Sequence, residues 1–300
     1  FKMNPLALFR ALRPHQWVKN GFVLAAVIFA KAKEGVLLSW DGAAETNSLF
    51  AMAAFCLAAS AVYLLNDVLD VENDRHHPEK CKRPIAAGEV SIPVALVSAV
   101  VCAGAAVMLA EEAGGENGSV TVFLVGYMGL NIAYSLRLKH IVLVDAFCIA
   151  AGFLLRVEAG GAAASEVVSR WLLLCTFFLA LFLALCKRRA ECDLLGEAKA
   201  EHRKILGDYE VGFLDQMVTL LAACTILCYS LYTVIEVDEK LQMVWTVPFV
   251  VFGLGRYMWL VQKQRGGGNP TRILLGGDPM FMFTTVAWML VTGLPMFRGV

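Results

Sequence analysis

Residues 48–75 read SLFAMAAFCLAASAVYLLNDVLDVENDR: no charge from Ser48 to Leu65, then Asn66, Asp67, Asp70 and Asp74 in quick succession. A bilayer core about 30 Å thick takes about 20 predominantly apolar residues per helix, so 48–66 predicts a membrane-spanning helix that ends in acids. Working outward, eight further apolar runs are found at 21–40, 91–110, 119–136, 141–159, 168–187, 213–235, 243–262 and 280–297. The 300 residues are 58% hydrophobic and 17% charged, with mean hydropathy +0.63, against about 25% charged in an ordinary soluble domain. The expectation is an all-α integral membrane protein. It has nine transmembrane helices in one polytopic domain over 1–300, and the loops 67–90 and 188–212 cap its active site.

The charges orient the chain. With the N-terminus in the cytoplasm, 19 of the 26 Lys and Arg fall on the inner side, among them Arg13, Lys19, Lys80, Arg83, Lys139, Lys187 and Arg188. The positive-inside rule therefore predicts a cytoplasmic N-terminus, an external C-terminus and a cytoplasmic site. Formal net charge is zero, which excludes a nucleic-acid binder held by bulk charge. Nine Cys, mostly within apolar runs and without a CxxC pair, act as small hydrophobes instead of a disulfide or zinc framework. No cleavable signal peptide is expected at the start.

Asn66, Asp70 and Asp74 are spaced i, i+4, i+8, one face of a continuing helix, with Asp67 beside Asp70. Like charges at that spacing repel unless a cation lies among them, and hard oxygen donors beside a bilayer suit Mg²⁺ completed by substrate phosphates. Asn66 and Asp70 are the expected metal ligands, with Asp67 and Asp74 in support. The bland reading is a solvated helix end neutralised by Arg75 and Lys80. A basic run follows, Arg75-His76-His77-Pro78-Glu79-Lys80-Cys81-Lys82-Arg83, which in outline completes a diphosphate clamp; His76 and His77 are read as loop residues.

Asn66-Asp-x-x-Asp70-x-x-x-Asp74 at the end of the second of nine spans resembles the first aspartate motif of the UbiA superfamily of intramembrane prenyltransferases. Three stretches look like one branch of it, the decaprenyl-phosphate phosphoribosyltransferases: Arg13-Pro-His-Gln-Trp17-Val-Lys19-Asn20, Asn66 to Gly88, and Tyr134-Ser-Leu-Arg-Leu-Lys139-His140. The resemblance implies a UbiA-like bundle and transfer of phosphoribose from phosphoribosyl diphosphate (PRPP) to a polyprenyl (decaprenyl) monophosphate. It also implies a bacterial plasma (inner) membrane location and a product that feeds cell-wall arabinan synthesis. Prenyl-diphosphate users of the superfamily carry a second motif, DxxxD, at the sixth span's cytoplasmic end. This chain has Lys187-Arg188-Arg189-Ala-Glu191-Cys-Asp193 there. One acidic and one basic site suit a Mg²⁺-diphosphate and a metal-free phosphomonoester. The bland reading of the basic cluster is a positive-inside anchor with Lys187 paired to Glu191.

On these grounds Asp67, Asp74 and Arg83 take catalytic roles. Lys19, Tyr63, Lys80, Arg83, Lys139, Arg156, Lys187 and Arg188 take substrate contacts. Arg156 stands within the fifth span, where an ionisable residue is a functional hypothesis by default; its alternative is a structural pair with Glu158. Two rival functions stay open, an aromatic prenyltransferase and a non-enzymatic transporter or lipid scaffold, and the oligomeric state, homo-oligomer included, is not fixed by the sequence.

Overall fold

The structure, a computed structural model, describes residues 5–34, 42–76, 80–114, 119–195, 207–236, 243–263 and 278–297. Every element among them is helical. The run at 48–66 lies inside α3, Ala43–Leu69, which breaks at Asp70 and is followed by the short α4, Val71–His76. Before it come α1, Pro5–Ala11, a 3-10 stretch Pro14–Leu24 and α2, Ala25–Glu34; after it come α5, Ile92–Glu112, α6, Ser119–Leu136, and α7, Val144–Ala164. The chain then forms α8, Arg170–Leu195, α9, Val211–Ile235, α10, Val247–Lys263, and α11, Pro279–Phe297.

Seven helical stretches among the described residues are long and apolar enough to cross a membrane. The first expected span, 21–40, begins as 3-10 helix, passes into α2 and continues into residues 35–41, outside the described ones. The ninth coincides with α11, whose apolar stretch Pro279–Thr292 is shorter than the others. The sixth outruns its expected end by two turns: α8 continues past Lys187 because its charges pair along the helix, Arg188 with Glu191 at 2.6 Å and Arg189 with Asp193 at 2.6 Å.

The chain divides into two compact units. The first comprises Phe1–Val27, Trp40–Leu136 and Leu155–Val167; the second comprises Ile28–Ser39, Arg137–Leu154 and Val168–Val300. In the first, α3 packs along α5 and meets the 3-10 stretch and α6. Its core is mostly alanine, with Ala51, Ala54 and Ala58 of α3 facing Ala106 and Ala110 of α5, and Phe55 filling the space beside Leu124 and Tyr127 of α6. Without a water-driven hydrophobic effect in lipid, such small side chains let helices associate by close van der Waals contact. A second cluster, Leu64, Val71, Ile85, Val90 and Ala95 with Ala7 and Ala11, underlies the acidic end. In the second unit α8 runs against α9, and α10 packs on α8, α9 and α11 around Phe182, Leu185, Leu214, Leu221, Tyr257 and Leu260.

Gly160, in the half of α7 that belongs to the first unit, marks its closest approach. A Cβ there would lie 1.8 Å from the Val23 carbonyl oxygen. Backbone cannot yield as a flexible side chain does, so Gly160→Ala is expected to destabilise the protein by roughly 1–3 kcal/mol, as overpacking does. Thermal unfolding in detergent checks this; an unchanged midpoint would mean that α7 does not rest on Val23.

Candidate functional site

The acidic motif is built on α3 and α4. Asp70 caps α3 with φ −95° and ψ 6°, yet the Asp70 N–H still reaches the Asn66 carbonyl at 2.9 Å and the Asp74 N–H the Asp70 carbonyl at 2.8 Å. The i, i+4, i+8 relation therefore survives the break. Asp67 and Asp74 are each 2% exposed. Arg83 serves both, from Nη1 to Asp67 Oδ1 at 3.1 Å and to Asp74 Oδ2 at 2.6 Å. Its place is set by the compact turn after it. The Glu89 and Val90 N–H groups donate to the Pro84 carbonyl at 2.9 and 3.1 Å, Ile85 is buried beneath, and Gly88 takes φ +74°, a conformation in which an L side chain is strained.

Arg13, absent from the expected site residues, donates from Nη2 to Asp67 Oδ1 at 2.5 Å and lies 5.0 Å from the centroid of the Tyr63 ring. Its own φ is +55°, just ahead of Pro14. The segment it heads is stapled to α3 by Trp17 Nε1 donating to Ser60 Oγ at 3.0 Å, and it carries the half-buried Lys19. Partial burial, then the charges of Arg13 and Lys19, hold the His15 imidazole below its ordinary value.

Two guanidinium groups thus balance two carboxylates, while Asn66 Oδ1 and Asp67 Oδ2 are buried and accept no hydrogen bond among the described residues. Among the described residues no three His, Cys, Asp or Glu side chains gather as a metal cage. Mg²⁺ seldom uses one: it keeps several waters and needs one or two carboxylates plus substrate phosphates. Asn66 Oδ1, the second Asp67 oxygen and the half-buried Asp70 at the helix break fit that requirement. His76 bonds the Glu72 carbonyl through Nδ1 at 2.8 Å within α4, while His77, Pro78 and Glu79 lie outside the described residues. Lys80 is exposed, one turn before Arg83.

Arg156 is buried in the first unit, donating from Nε to Asn20 Oδ1 at 2.7 Å and from Nη2 to the Tyr127 hydroxyl at 2.8 Å. It thereby ties α7 to the 3-10 stretch and to α6.

In the second unit the basic cluster divides by burial. Arg188, its side chain 3% exposed, turns inward from α8 to the fully buried Asp145 of α7, Nε to Oδ2 at 2.7 Å, and bonds Glu191 at 2.6 Å. Lys187, half exposed, is 3.9 Å from Glu191. Arg189 joins α8 to α9 through Asp215 at 2.9 Å. Tyr209, buried just before α9, donates to Asp145 Oδ1 at 2.9 Å and accepts the Leu143 N–H at 2.8 Å. Burial, with the Asp145 carboxylate adding to it, pushes the Tyr209 phenol up, so it stays protonated as a donor. Lys139 is half-buried in the 3-10 turn Leu138–His140 ahead of Leu143. Of the 188–212 loop, 188–195 belong to α8 and 196–206 lie outside the described residues.

Residues 22–294 match the UbiA prenyltransferase family. The chain belongs to that family. The decaprenyl-phosphate phosphoribosyltransferase of Mycobacterium tuberculosis is 36% identical over 295 residues, 97% of this chain and 94% of the relative. That of Mycolicibacterium smegmatis is 33% identical over 299 residues, 97% and 92% of the two chains. A solved UbiA homolog from Archaeoglobus fulgidus, bound to DMAPP and Mg²⁺, superposes with a TM-score of 0.70 over 96% of this chain and 98% of its own, at 17% identity. The fold is that of the UbiA family.

Asp145 gave a signal as a carboxylate within a span; Arg13 was visible only inside a longer resemblance, and nothing in the sequence marked Tyr209. Removing Arg188 would leave Asp145 buried without its ion-pair partner. Arg188→Ala is expected to cost about 3–5 kcal/mol of stability, Arg188→Lys to recover only part of it, and Asp145→Asn with Arg188→Met to recover more. Thermal unfolding of the three variants in detergent checks the order; equal midpoints for parent and Arg188→Ala would show that the pair bears no load.

Proposed function

We propose that this protein transfers 5-phosphoribose from PRPP to a polyprenyl (decaprenyl) monophosphate with release of diphosphate. The observation that carries it is the likeness to decaprenyl-phosphate phosphoribosyltransferases over 97% of the chain. The local chemistry agrees: oxygen donors in one unit, and cationic Lys187-Arg188-Arg189 in the other where prenyl-diphosphate users carry a second acidic motif.

Asn66 and Asp70, with the second oxygen of Asp67, would hold Mg²⁺ against the PRPP diphosphate. When bound, the ion neutralises charge on the leaving group. Asp67 and Asp74 keep Arg83 in place, and Arg83 with Lys80 stabilises the negative charge on the departing diphosphate. An oxygen of the lipid phosphate attacks C1 of ribose as the C1–O bond to diphosphate breaks; in-line displacement of an α-diphosphate gives the β product. The attacking phosphate is anionic near pH 7, so no side chain has to remove a proton. Lys187 and Lys139 meet a substrate phosphomonoester; Lys19 and Tyr63 are further substrate contacts. Arg188 holds the Lys187 segment through Asp145 and Glu191, and Arg156 fixes Asn20, beside Lys19.

The chain crosses a bacterial plasma membrane nine times as one polytopic domain with its N-terminus inside. Residues 67–90 and 188–212 lie on the cytoplasmic face, where PRPP is soluble and the lipid presents its phosphate, and the product serves cell-wall arabinan synthesis.

Purified protein with Mg²⁺, radiolabelled PRPP and polyprenyl phosphate is expected to move label into the lipid phase, and EDTA to abolish it. Asp70→Ala should remove that turnover while leaving the protein folded in detergent; normal turnover would dismiss Asp70 as a ligand. No label there, together with prenylation of 4-hydroxybenzoate from a prenyl diphosphate, would establish the aromatic prenyltransferase instead.

A further inference from the structure

Tyr209 joins the two basic segments of the second unit. One is the turn from Arg137 to Leu143, which carries Lys139. That turn ends with Leu143 at φ +66°, in the left-handed region that a branched side chain disfavours. The other is the Lys187–Arg188 stretch of α8, anchored by Arg188 on Asp145 Oδ2 at 2.7 Å. The Tyr209 hydroxyl stands where they meet, accepting the Leu143 N–H at 2.8 Å and donating to Asp145 Oδ1 at 2.9 Å. Both Asp145 oxygens are thereby used, one for each segment. The turn's own backbone bonds, the Asp145 N–H to the Ile141 carbonyl at 3.2 Å and the Phe147 N–H to the Leu143 carbonyl at 2.9 Å, set it on α7; a phenylalanine ring would fill nearly the same buried volume, so what the hydroxyl adds is the tie of Leu143 to the segment ahead of α9.

We infer that Tyr209 is a positioning residue for a substrate phosphomonoester: its hydroxyl locks the strained Leu143 turn onto Asp145 and so sets Lys139 in a fixed relation to Lys187. This rests on the phosphoribosyl-transfer reading. The phosphomonoester is either the 5-phosphate of PRPP or the lipid phosphate, which share the same recognition by ammonium groups.

The test is a double-mutant cycle on the purified full chain, with Tyr209→Phe, Lys139→Ala and the two combined, each assayed for the KM of PRPP and of polyprenyl phosphate separately. Wild-type transfer is measured first; its absence overturns the reading and the inference together. With an active wild type, Tyr209→Phe is expected to raise one of the two KM values about tenfold while kcat stays within about twofold. The substrate whose KM moves is the one whose phosphate Lys139 meets. In the Lys139→Ala background the same change should add nothing further, because the tyrosine acts through that lysine. Two unchanged KM values in Tyr209→Phe, a loss confined to kcat, or additive effects would overturn the proposal and leave the hydroxyl as a packing contact. If Tyr209→Phe alone does not fold, Leu143→Gly is added to it: glycine accepts the left-handed conformation without strain and restores folding, while the hydroxyl stays absent. There a raised KM supports the proposal, and a wild-type KM overturns it.

Discussion

The contact on which the acidic end depends is Arg83 with Asp67 and Asp74. Neither carboxylate can be charged among apolar helices without a partner, and one guanidinium nitrogen, Arg83 Nη1, reaches both. Much of the local architecture is what that contact requires. Breaking α3 at Asp70 and restarting as α4 leaves Asp74 within reach. The turn from Arg83 to Val90 closes through the Pro84 carbonyl and a left-handed Gly88, so that the arginine points back. Arg13 adds the second positive charge at the cost of its own left-handed backbone.

Pairing divides a motif that looks uniform in one dimension. Spacing alone makes Asp67, Asp70 and Asp74 equivalent oxygen donors. In three dimensions Asp74 and one oxygen of Asp67 build the loop, whereas Asn66 Oδ1 and the other Asp67 oxygen are buried with no hydrogen-bond partner among the described residues. The two roles support each other. A carboxylate already neutralised on one oxygen by arginine costs less to keep buried, and its second oxygen is held rigidly.

Hydropathy made the helices legible because membrane length is a hard constraint on an apolar run: α6 spans the expected 119–136, and α3, α5 and α9 differ from expectation by a few residues at their ends. It could not register the 3-10 stretch Pro14–Leu24, whose apolar content resembles that of a regular helix, nor the extra turns of α8, which exist through side-chain pairing along the helix. The acidic motif was readable since all its members lie within nine residues. Asp145, Arg188 and Tyr209 were not readable as a unit, because their contacts span 43 and 64 positions. Periodicity carries no information at such separations. Tyr209, moreover, sits in a stretch without apolar rhythm, where a tyrosine has no distinguishing neighbours.

A division of labour between the two cation types follows from their chemistry. Arg13, Arg83, Arg156, Arg188 and Arg189 each reach across the sequence to internal partners, at Asp67, Asp74, Asn20, Asp145 and Asp215 respectively for their long-range contacts. Guanidinium is weakly hydrated and forks onto two acceptors, so burying it costs less and fixes geometry better. The lysines of the candidate site are exposed at Lys80, half exposed at Lys187 and partly exposed at Lys19 and Lys139, as Arg13 and Arg83 also are, whereas Arg156 and Arg188 are buried. A compact, strongly hydrated ammonium on a flexible stem is poor framework but well suited to meeting a phosphate that arrives and leaves. The basic residues that orientation rules would group together therefore differ in chemistry, the arginines suited to tying elements together and the lysines to a transient anion. Tallying positive charge cannot register which arginines tie elements together; the ion pairs that Arg13, Arg83 and Arg188 make with Asp67, Asp74 and Asp145 do.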